Sequence, residues 1–448
     1  MFLSLSFLFI SCDGYVKPKD YLDKENDDVY GNYLIVLSDE GSGALEQVQF
    51  LAEEYDFPVE NVLNVYDAAA KAFTLRIPHL LTDSLRDSPM IVDIIEDTQQ
   101  DYFDPIEYEG EAYDYGDNEI PHGITRINGP YSGNLPLEEI HVAVIDSGVD
   151  YAHSDLNVVA EVDLWGYSNG DYGNFSFQPP KSPQEIFDIA GAWDEEGNFD
   201  ASKAVGDDNG HGTHVAGTIG AIADGAGVAG VAPNVAIHSI RMLGADGSGY
   251  FSDVLMAVEY VLLWNENEEQ PPIRVVNMSL GGPKDASMNV IRDALQKLED
   301  TGVVVCIAAG NEDQDTDNVA PAGFDLGIVV SAYETTPTDD GPVDVGFAWF
   351  SNYGTAVDIA APGTSIYSTW PGGDYEYLDG TSMATPHVAG AIAAFLAYAP
   401  EDITVAEVKD LVVSTGEQDY LGQGGEHPEP LLNFGALMDV AYGYQAEE

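Results

Sequence analysis

Val142-Ala143-Val144-Ile145-Asp146-Ser147-Gly148 decides the fold class of this chain, because it is an apolar run of strand length that ends on an aspartate. Further along, strand-like apolar runs alternate with stretches of helical spacing, as at 211–222, 235–241, 252–263 and 275–278. This alternation predicts an α/β fold with a mainly parallel sheet flanked by helices on both faces. Open parallel sheets carry their sites at the carboxyl ends of strands, so Asp146 is a candidate functional residue.

Two later segments each place a reactive side chain at the start of a predicted helix. The segment 209–217 reads NGHGTHVAG and contains His211, and the segment 379–387 reads DGTSMATPH and contains Ser382. A serine hydroxyl needs an adjacent imidazole to accept its proton, and the imidazole needs a carboxylate to orient it. Taken singly, such residues are more often turn or capping residues. Taken together, Asp146, His211 and Ser382 predict nucleophilic catalysis.

Zinc-based catalysis is the alternative use of the histidines, and their spacing argues against it. The metalloprotease helix reads His-Glu-x-x-His, whereas His211 and His214 are three residues apart with no glutamate between them. We therefore expect His214 and His387 to be structural. Cys306 lies in the apolar run 303–307, and we expect it to be an inert core thiol outside any disulfide.

Together the three segments resemble those of the subtilisin family of serine endopeptidases, and the resemblance extends from about residue 123 to residue 442. It implies that Asp146 orients His211, that His211 acts as general base and then general acid, and that Ser382 is the nucleophile. The segment 308–311 (AAGN) resembles the oxyanion-hole segment of the family. Asn311 would then donate its side-chain amide to the tetrahedral intermediate, and no catalytic cofactor is needed.

The resemblance also implies a peptide-binding cleft. An extended substrate would pair with two segments by strand addition, and their glycines would let its backbone approach closely. Small or apolar walls in the first specificity pocket imply broad specificity with a preference for a large apolar residue before the scissile bond, and Glu312 at its mouth could attract a basic one. The implied cleft residues are Gly247, Ser248, Gly249, Ser279, Leu280, Gly281, Ala309 and Gly310.

A structural calcium ion is implied by a further likeness. The loop 222–228 (IADGAGV) resembles the calcium loop of the family, and Asp155 matches a carboxylate ligand. Oxygen ligands in a glycine-containing loop suit Ca²⁺. The implied ligands are Asp155, Asp224 and the carbonyl oxygens of Ile222, Ala226 and Val228. The alternative is an acidic surface loop that binds no metal.

The N-terminal part of the chain forms a separate pattern. Residues 31–103 run strand, helix, two strands, helix, strand, which predicts a small α+β ferredoxin-like domain, and they resemble the inhibitory propeptide of the family. The acidic tract 104–119 predicts an exposed linker with the maturation site, ahead of a catalytic domain at 120–445. The resemblance thus implies a self-processing zymogen, inhibited by its own propeptide and acting on polypeptides. The alternatives are a catalytically silent scaffold and an independently acting inhibitor or chaperone block.

Residues 1–20 predict a targeting segment. The apolar run 2–10 has the length of a signal-peptide core and is too short to span a bilayer, so we expect secretion. Ser11-Cys12 also resembles the end of a lipoprotein signal. In that alternative, the protein is anchored at the cell surface through lipidated Cys12.

The charge of the chain restricts its partners. Lysine and arginine total 15 against 78 aspartates and glutamates, and 15 − 78 gives −63. So few basic residues argue against a nucleic-acid partner. The acidic excess is either an ordinary solvated surface or an adaptation to high salt, where screening relieves self-repulsion. Hydrophobic residues make up 45% of the chain, which is enough for a large core. We expect the protein to be a monomer.

Overall fold

A computed structural model describes residues 30–39, 43–55, 57–102, 120–132, 137–165, 191–194, 198–284, 288–338, 341–418 and 427–445. The predicted targeting segment 1–20 with Cys12, the predicted linker 104–119 and residues 166–190 lie outside these residues. The described residues separate into two compact units. One contains residues up to 65 together with 71–97, and the other contains 66–70 and the described chain from 98 onward.

The first unit is a four-stranded sheet with two helices. The strands lie in the order β2-β3-β1-β4, and β1 runs antiparallel to both β3 and β4. Alternate strand residues such as Ile35 and Phe73 pack on the apolar side of α1, which buries Val48 and Leu51. The elements are β1 Tyr30–Leu37, α1 Ala44–Tyr55, a 3₁₀ turn Val59–Asn61, β2 Val62–Tyr66, β3 Ala72–Pro78, α2 His79–Leu85 and β4 Ile91–Glu96.

The second unit is built on a larger sheet whose strands follow the predicted alternation with helices. Its strands are β5 Gln99–Asp101, β6 His141–Asp146, β7 Val158–Asp163, β8 Ala236–Arg241, β9 Ser248–Tyr250, β10 Ile273–Met278, β11 Gly282–Pro283, β12 Val304–Ala308, β13 Val319–Ala320, β14 Ile328–Thr336, β15 Val343–Phe347, β16 Ile359–Pro362, β17 Ile366–Trp370 and β18 Asp374–Leu378. Its helices are α3 His122–Arg126, α4 His211–Gly220, α5 Phe251–Glu266, α6 Asn289–Asp300, α7 Thr381–Leu396, α8 Val405–Thr415 and α9 Phe434–Gln445, with 3₁₀ turns Thr316–Asn318 and Ala322–Phe324.

The main sheet of this unit has the order β15-β14-β12-β10-β6-β8-β7, with β16 also paired to β14. Its neighbouring strands are parallel except for the antiparallel pair β14 and β15. Every residue of β6 is buried, as expected for a parallel strand covered on both faces. The predicted α/β fold is therefore confirmed.

Helices cover the sheet and bring two predicted site residues to one edge. The helices α4 and α7 pack against each other, and α5 and α6 form a second packed pair beside β10 and β12. Val144 and Cys306 from the strands join residues of α4 and α7 in one core cluster. His211 at the start of α4 contacts Asp146 at the end of β6, and Ser382 in the first turn of α7 contacts Ser279 just after β10, so both residues lie at the carboxyl edge of the strands. Within the described residues, no helix combines the length and apolarity needed to cross a membrane.

Candidate active site

Asp146 and His211 form a buried pair. Asp146 is the last residue of β6 and is 0% exposed, and His211 is the first residue of α4 and is 7% exposed. The Nδ1 atom of His211 lies 2.8 Å from Oδ1 and 3.0 Å from Oδ2 of Asp146. The main-chain N–H of Ser147 also donates to Oδ1, at 2.7 Å. A carboxylate held in this way fixes the ring orientation and the tautomer of the imidazole.

Asp207 organises the turn that leads into His211. Its Oδ1 accepts the N–H of Gly210 at 2.8 Å and the hydroxyl of Ser147 at 3.0 Å, and its Oδ2 accepts the N–H and hydroxyl of Thr213 at 2.9 and 2.6 Å. Gly210 has φ of +105°, a conformation that favours glycine. One carboxylate thus satisfies main-chain donors on both sides of His211 and connects them to the residue after Asp146.

Ser382 lies in the first turn of α7, beside the end of β10. Its hydroxyl donates to the carbonyl oxygen of Ser279 at 3.2 Å, and the hydroxyl of Ser279 donates to the carbonyl oxygen of Ser382 at 2.8 Å. Gly380, two residues before Ser382, has φ of +152°, so a side chain at this position would strain the backbone. The N-terminus of α7 contributes main-chain N–H groups and the positive end of a helix dipole at this position.

The amide of Asn311 is oriented by the neighbour of Ser382. Its Oδ1 accepts both the N–H and the hydroxyl of Thr381, each at 2.9 Å. These bonds assign the oxygen end of the amide and leave Nδ2 as the donor. A Cβ atom placed on Gly380 would lie 3.6 Å from that Nδ2 and 3.5 Å from the main-chain N of Ser382. Nδ2 of Asn311 and the main-chain nitrogen of Ser382 therefore lie near the same point beside Gly380.

The predicted peptide-binding segments are already paired with a part of this chain. Strand β5 runs antiparallel to β9, with Gln100 opposite Gly249 and Asp101 opposite Ser248. The N–H of Tyr102 then donates to the carbonyl of Gly247 at 3.4 Å, and the N–H of Gly281 donates to the carbonyl of Tyr102 at 2.8 Å. Residues 99–102 thus contact both segments to which an extended substrate was expected to add as a strand.

The remaining predicted cleft residues follow β10 and β12. Leu280 and Ala309 are buried, and the N–H of Gly310 donates to the hydroxyl of Thr381 at 3.1 Å. Glu312 is exposed, and its Oε2 accepts the side-chain amide of Asn352 at 2.6 Å. The residues expected to form the walls of the first specificity pocket are therefore small, and the carboxylate of Glu312 lies beside them.

The five predicted calcium ligands belong to one loop and the residue packed against it. Asp155 is buried, and its Oδ2 accepts the N–H of Val228 at 3.1 Å and the hydroxyl of Tyr375 at 2.7 Å. The N–H of Ile222 donates to the carbonyl of Asp155 at 2.8 Å, whereas Asp224 is exposed. Among described residues, no cluster of three or more His, Cys, Asp or Glu side chains could hold a metal. A cation here would therefore need main-chain carbonyls for most of its ligands, including that of Ala226, and such oxygen donors suit Ca²⁺.

The comparisons with known proteins agree with this geometry. The model of the Subtilase family matches residues 138–436. This chain belongs to the subtilase family. The subtilase is 35% identical to subtilisin NAT of Bacillus subtilis subsp. natto over 333 residues, which covers 73% of each chain. It is 36% identical to a subtilisin of Bacillus pumilus over 319 residues, covering 70% of this chain and 97% of the relative.

A solved structure shares the fold as well as the sequence. A cold adapted subtilisin-like serine proteinase aligns with a TM-score of 0.50 and 30% identity, over 70% of this chain and 97% of that one. The predicted family and enzyme class are thus confirmed. The protein is a subtilisin-type serine endopeptidase, and its structure brings the predicted histidine and aspartate together.

Two other histidines of the subtilase have structural environments. His214 is fully buried, and its Nε2 lies 2.9 and 3.1 Å from the carbonyl oxygens of Ile366 and Glu376. Burial lowers the pKa of His214 to about 3. His387 is also buried, its Nδ1 lies 2.8 Å from the carbonyl of Met383, and burial lowers its pKa to about 4. Both rings are neutral components of the core.

Sequence reasoning missed three contributors to this site. Asp207 stands in an Asp-Asp-Asn-Gly run just before His211, and its position near a helix start is the signal that could have found it. Thr381 orients Asn311 across 70 residues of chain, which no local pattern indicates. The strand at Gln99–Asp101 is wholly polar and carries no hydrophobic alternation.

Proposed function

We propose that this subtilase is a self-processing endopeptidase in which Ser382 is the nucleophile, His211 the general base and Asp146 the orienting carboxylate. The observation that carries the proposal is the position of His211 Nδ1 within 3.0 Å of both oxygens of a fully buried Asp146. This contact commits Nδ1 to the carboxylate and assigns proton transfer to Nε2. No metal or organic cofactor takes part in the reaction.

The proposed reaction follows from these roles. Nε2 of His211 accepts the hydroxyl proton as Oγ of Ser382 attacks the carbonyl carbon of the scissile bond. The resulting oxyanion receives hydrogen bonds from Nδ2 of Asn311 and the main-chain N–H of Ser382. The imidazolium then donates its proton to the leaving amine, and the same residues hydrolyse the acyl-enzyme with water.

The zymogen part of the proposal is supported by residues 99–102. Their pairing with β9 and Gly281 uses the main-chain groups that would bind a substrate, so the segment competes with substrate for the same hydrogen bonds. We infer that the block 31–103 keeps this segment in place as an intramolecular inhibitor. Maturation then cuts the chain on the C-terminal side of Tyr102, in the predicted linker 104–119.

The specificity part rests on the cleft residues. Gly281, Ala309 and Gly310 offer little side-chain volume, which leaves room for a large apolar residue before the scissile bond. Glu312 lies next to Asn311 with its carboxylate bonded to Asn352, which adds tolerance for a basic residue at the mouth of the pocket. We expect broad cleavage of proteins with a preference for Phe and Leu.

A structural Ca²⁺ at the loop 222–228 belongs to the same proposal. The donors would be Asp155, Asp224 and the carbonyls of Ile222, Ala226 and Val228, and the buried Asp155 carboxylate packed on the loop supports it. When bound, the ion would hold the loop in place and take no part in catalysis. From the sequence of 1–20 we further infer export, with lipidation of Cys12 as the alternative, and action as a monomer.

Expression of the full chain beside Ser382→Ala tests the proposed function. Ser414→Ala is the matched control, because Ser414 is an exposed helix residue whose hydroxyl bonds only to Leu411 among the contacts described. We expect wild type and the control to release the N-terminal block and to hydrolyse a peptide with phenylalanine before the scissile bond. The Ser382→Ala chain should remain intact and inactive. Equal processing of all three proteins would contradict the proposal.

A further inference from the structure

Glu161 is a buried carboxylate that takes no part in the proposed reaction. It lies on β7 and is 1% exposed. Its Oε1 accepts the N–H of Val205 at 2.5 Å and the N–H of Gly206 at 3.2 Å, and its Oε2 lies 3.3 Å from the same Gly206 nitrogen. Glu161 lies 44 residues from Val205 in the sequence. Its carboxylate thus accepts hydrogen bonds from two consecutive main-chain N–H groups of a surface turn.

That turn is the one that ends at His211. Gly206 directly precedes Asp207, whose carboxylate receives the N–H groups of Asn209, Gly210 and Thr213 around His211. The carbonyl oxygen of Gly206 also lies close to Gly148, two residues after Asp146, because a Cβ on Gly148 would be 2.2 Å from it. A displacement of the turn at Gly206 would therefore move the support of His211 relative to β6.

The charges around Glu161 come from two strands and the turn itself. Asp163 lies two residues along β7, and Arg241 of β8 lies with its Nε 3.9 Å from Asp163. Arg241 also pairs with Asp208 of the turn at 2.9 Å, and its guanidinium lies over the Trp165 ring. Burial and, to a smaller extent, Asp163 raise the pKa of Glu161, while the two N–H bonds and Arg241 act in the opposite direction, leaving it at about 7.

We propose that Glu161 is a positioning residue for catalysis, whose ionised carboxylate fixes Val205 and Gly206 and through them the alignment of His211 with Asp146. This role rests on the proposed function of His211. Charge-assisted hydrogen bonds are about twice as strong as neutral ones, so protonation of Glu161 weakens its hold on the turn. The imidazole then samples orientations that do not support proton transfer, and small misplacements of this kind cost large factors in rate.

This arrangement makes stability and activity respond to pH in opposite directions. The raised pKa means that the protonated Glu161 favours the folded state, and this stability is lost as the pH rises through about 7. The contribution of Glu161 to activity, in contrast, depends on the ionised form and appears as the pH rises through about 7. Protonation of Glu161 should therefore lower kcat/KM toward the value of a variant with a neutral side chain at position 161, and the advantage of wild type over that variant should disappear as the pH falls below about 7.

The experiment compares wild type with Glu161→Gln on a peptide substrate without ionisable groups. Glu299→Gln is the matched control, because Glu299 also accepts a main-chain N–H, from Gly327 at 2.6 Å, and burial also raises its pKa. We expect Glu161→Gln to lower kcat/KM by about tenfold at alkaline pH, and we expect this difference from wild type to disappear as the pH falls below about 7. Its melting temperature, measured in a Ser382→Ala background at alkaline pH, should be no lower than that of the parent. Glu299→Gln should keep the wild-type profile.

The outcomes separate this role from the proposed function. A ratio of wild-type to Glu161→Gln kcat/KM that stays constant across the pH range overturns the positioning role, and so does a Glu161→Gln profile that matches wild type. A Glu161→Gln protein that loses activity only because it melts earlier also overturns it. If Glu161→Gln does not fold, Glu161→Asp replaces it. We expect a reduced kcat for Glu161→Asp, and an unchanged kcat would overturn the role. Absence of hydrolysis by wild type itself would refute the proposed function instead.

Discussion

Replacement of His214 by glutamine should make the subtilase less sensitive to acid. His214 is fully buried among the carbonyls of Ile366 and Glu376, and burial lowers its pKa to about 3. In the unfolded chain the same imidazole titrates near 6.5. A base whose folded pKa is depressed contributes stability that is present above the unfolded value and lost as the pH falls toward the folded value. Below about pH 6.5 the unfolded state therefore binds a proton that the buried imidazole of His214 in the folded state does not bind.

The magnitude follows from the width of that interval. Each pH unit below about 6.5 costs about 1.4 kcal/mol per histidine, so at about pH 5 the loss from His214 is about 2 kcal/mol. Marginal stabilities of about 5–15 kcal/mol make this readily measurable. Buried carboxylates such as Glu161 act with the opposite sign, which is why the comparison must be between variants rather than between pH values alone.

The assay is urea unfolding of full-length chains in a Ser382→Ala background, followed by circular dichroism. The difference in free energy of unfolding between parent and His214→Gln should shrink by about 2 kcal/mol between about pH 7.5 and pH 5. Thr218→Val is the control, because Thr218 is buried on the same helix, donates to the carbonyl of His214 and does not titrate. A His214→Gln difference as independent of pH as the Thr218→Val difference would refute the reasoning.

Three further outcomes are expected. In steady-state kinetics, Asn311→Leu should lower kcat by a factor of about 10²–10³, equivalent to about 3–4 kcal/mol, and leave KM nearly unchanged. An unaltered kcat would exclude Asn311 from the oxyanion site. Chelation of Ca²⁺ should lower the melting temperature of wild type but not that of Asp155→Asn, and equal melting with and without chelator would favour a metal-free acidic loop. With a net charge of −63, the melting temperature and activity should rise from low to molar NaCl as screening relieves repulsion, and a flat response would indicate an ordinary acidic surface.

Local patterns predicted most of the regular structure correctly. The alternation of residues in 31–96 gave the observed order of strands and helices, and the apolar runs gave the central strands of the larger sheet. The spacing of residues 80–87 predicts the second helix of this domain, and α2 spans His79–Leu85, so it begins one residue earlier and ends two residues earlier than predicted. Helix ends depend on a few terminal hydrogen bonds, and so they vary by such amounts.

Interactions between distant parts of the chain could not be predicted. Asp146 and His211 could be paired from their motifs, but the bonds that orient Asn311 come from Thr381, and those that fix the turn before His211 come from Glu161. Residues 99–101 form a strand only because β9 supplies the partner, since Gln, Gln and Asp have low strand propensity. Each of these features depends on tertiary contacts, and such contacts produce no periodic pattern in the sequence.

Covalent labelling with a serine-directed fluorophosphonate, followed by peptide mass spectrometry, tests the activated hydroxyl most directly. The label forms a bond only with a nucleophilic serine, so its position identifies the residue that the Asp146–His211 pair activates. We predict modification of Ser382 alone in the matured wild-type enzyme, with the labelling rate strongly reduced in His211→Ala. A label on another serine, or a rate on Ser382 that is indifferent to the loss of His211, would contradict the account.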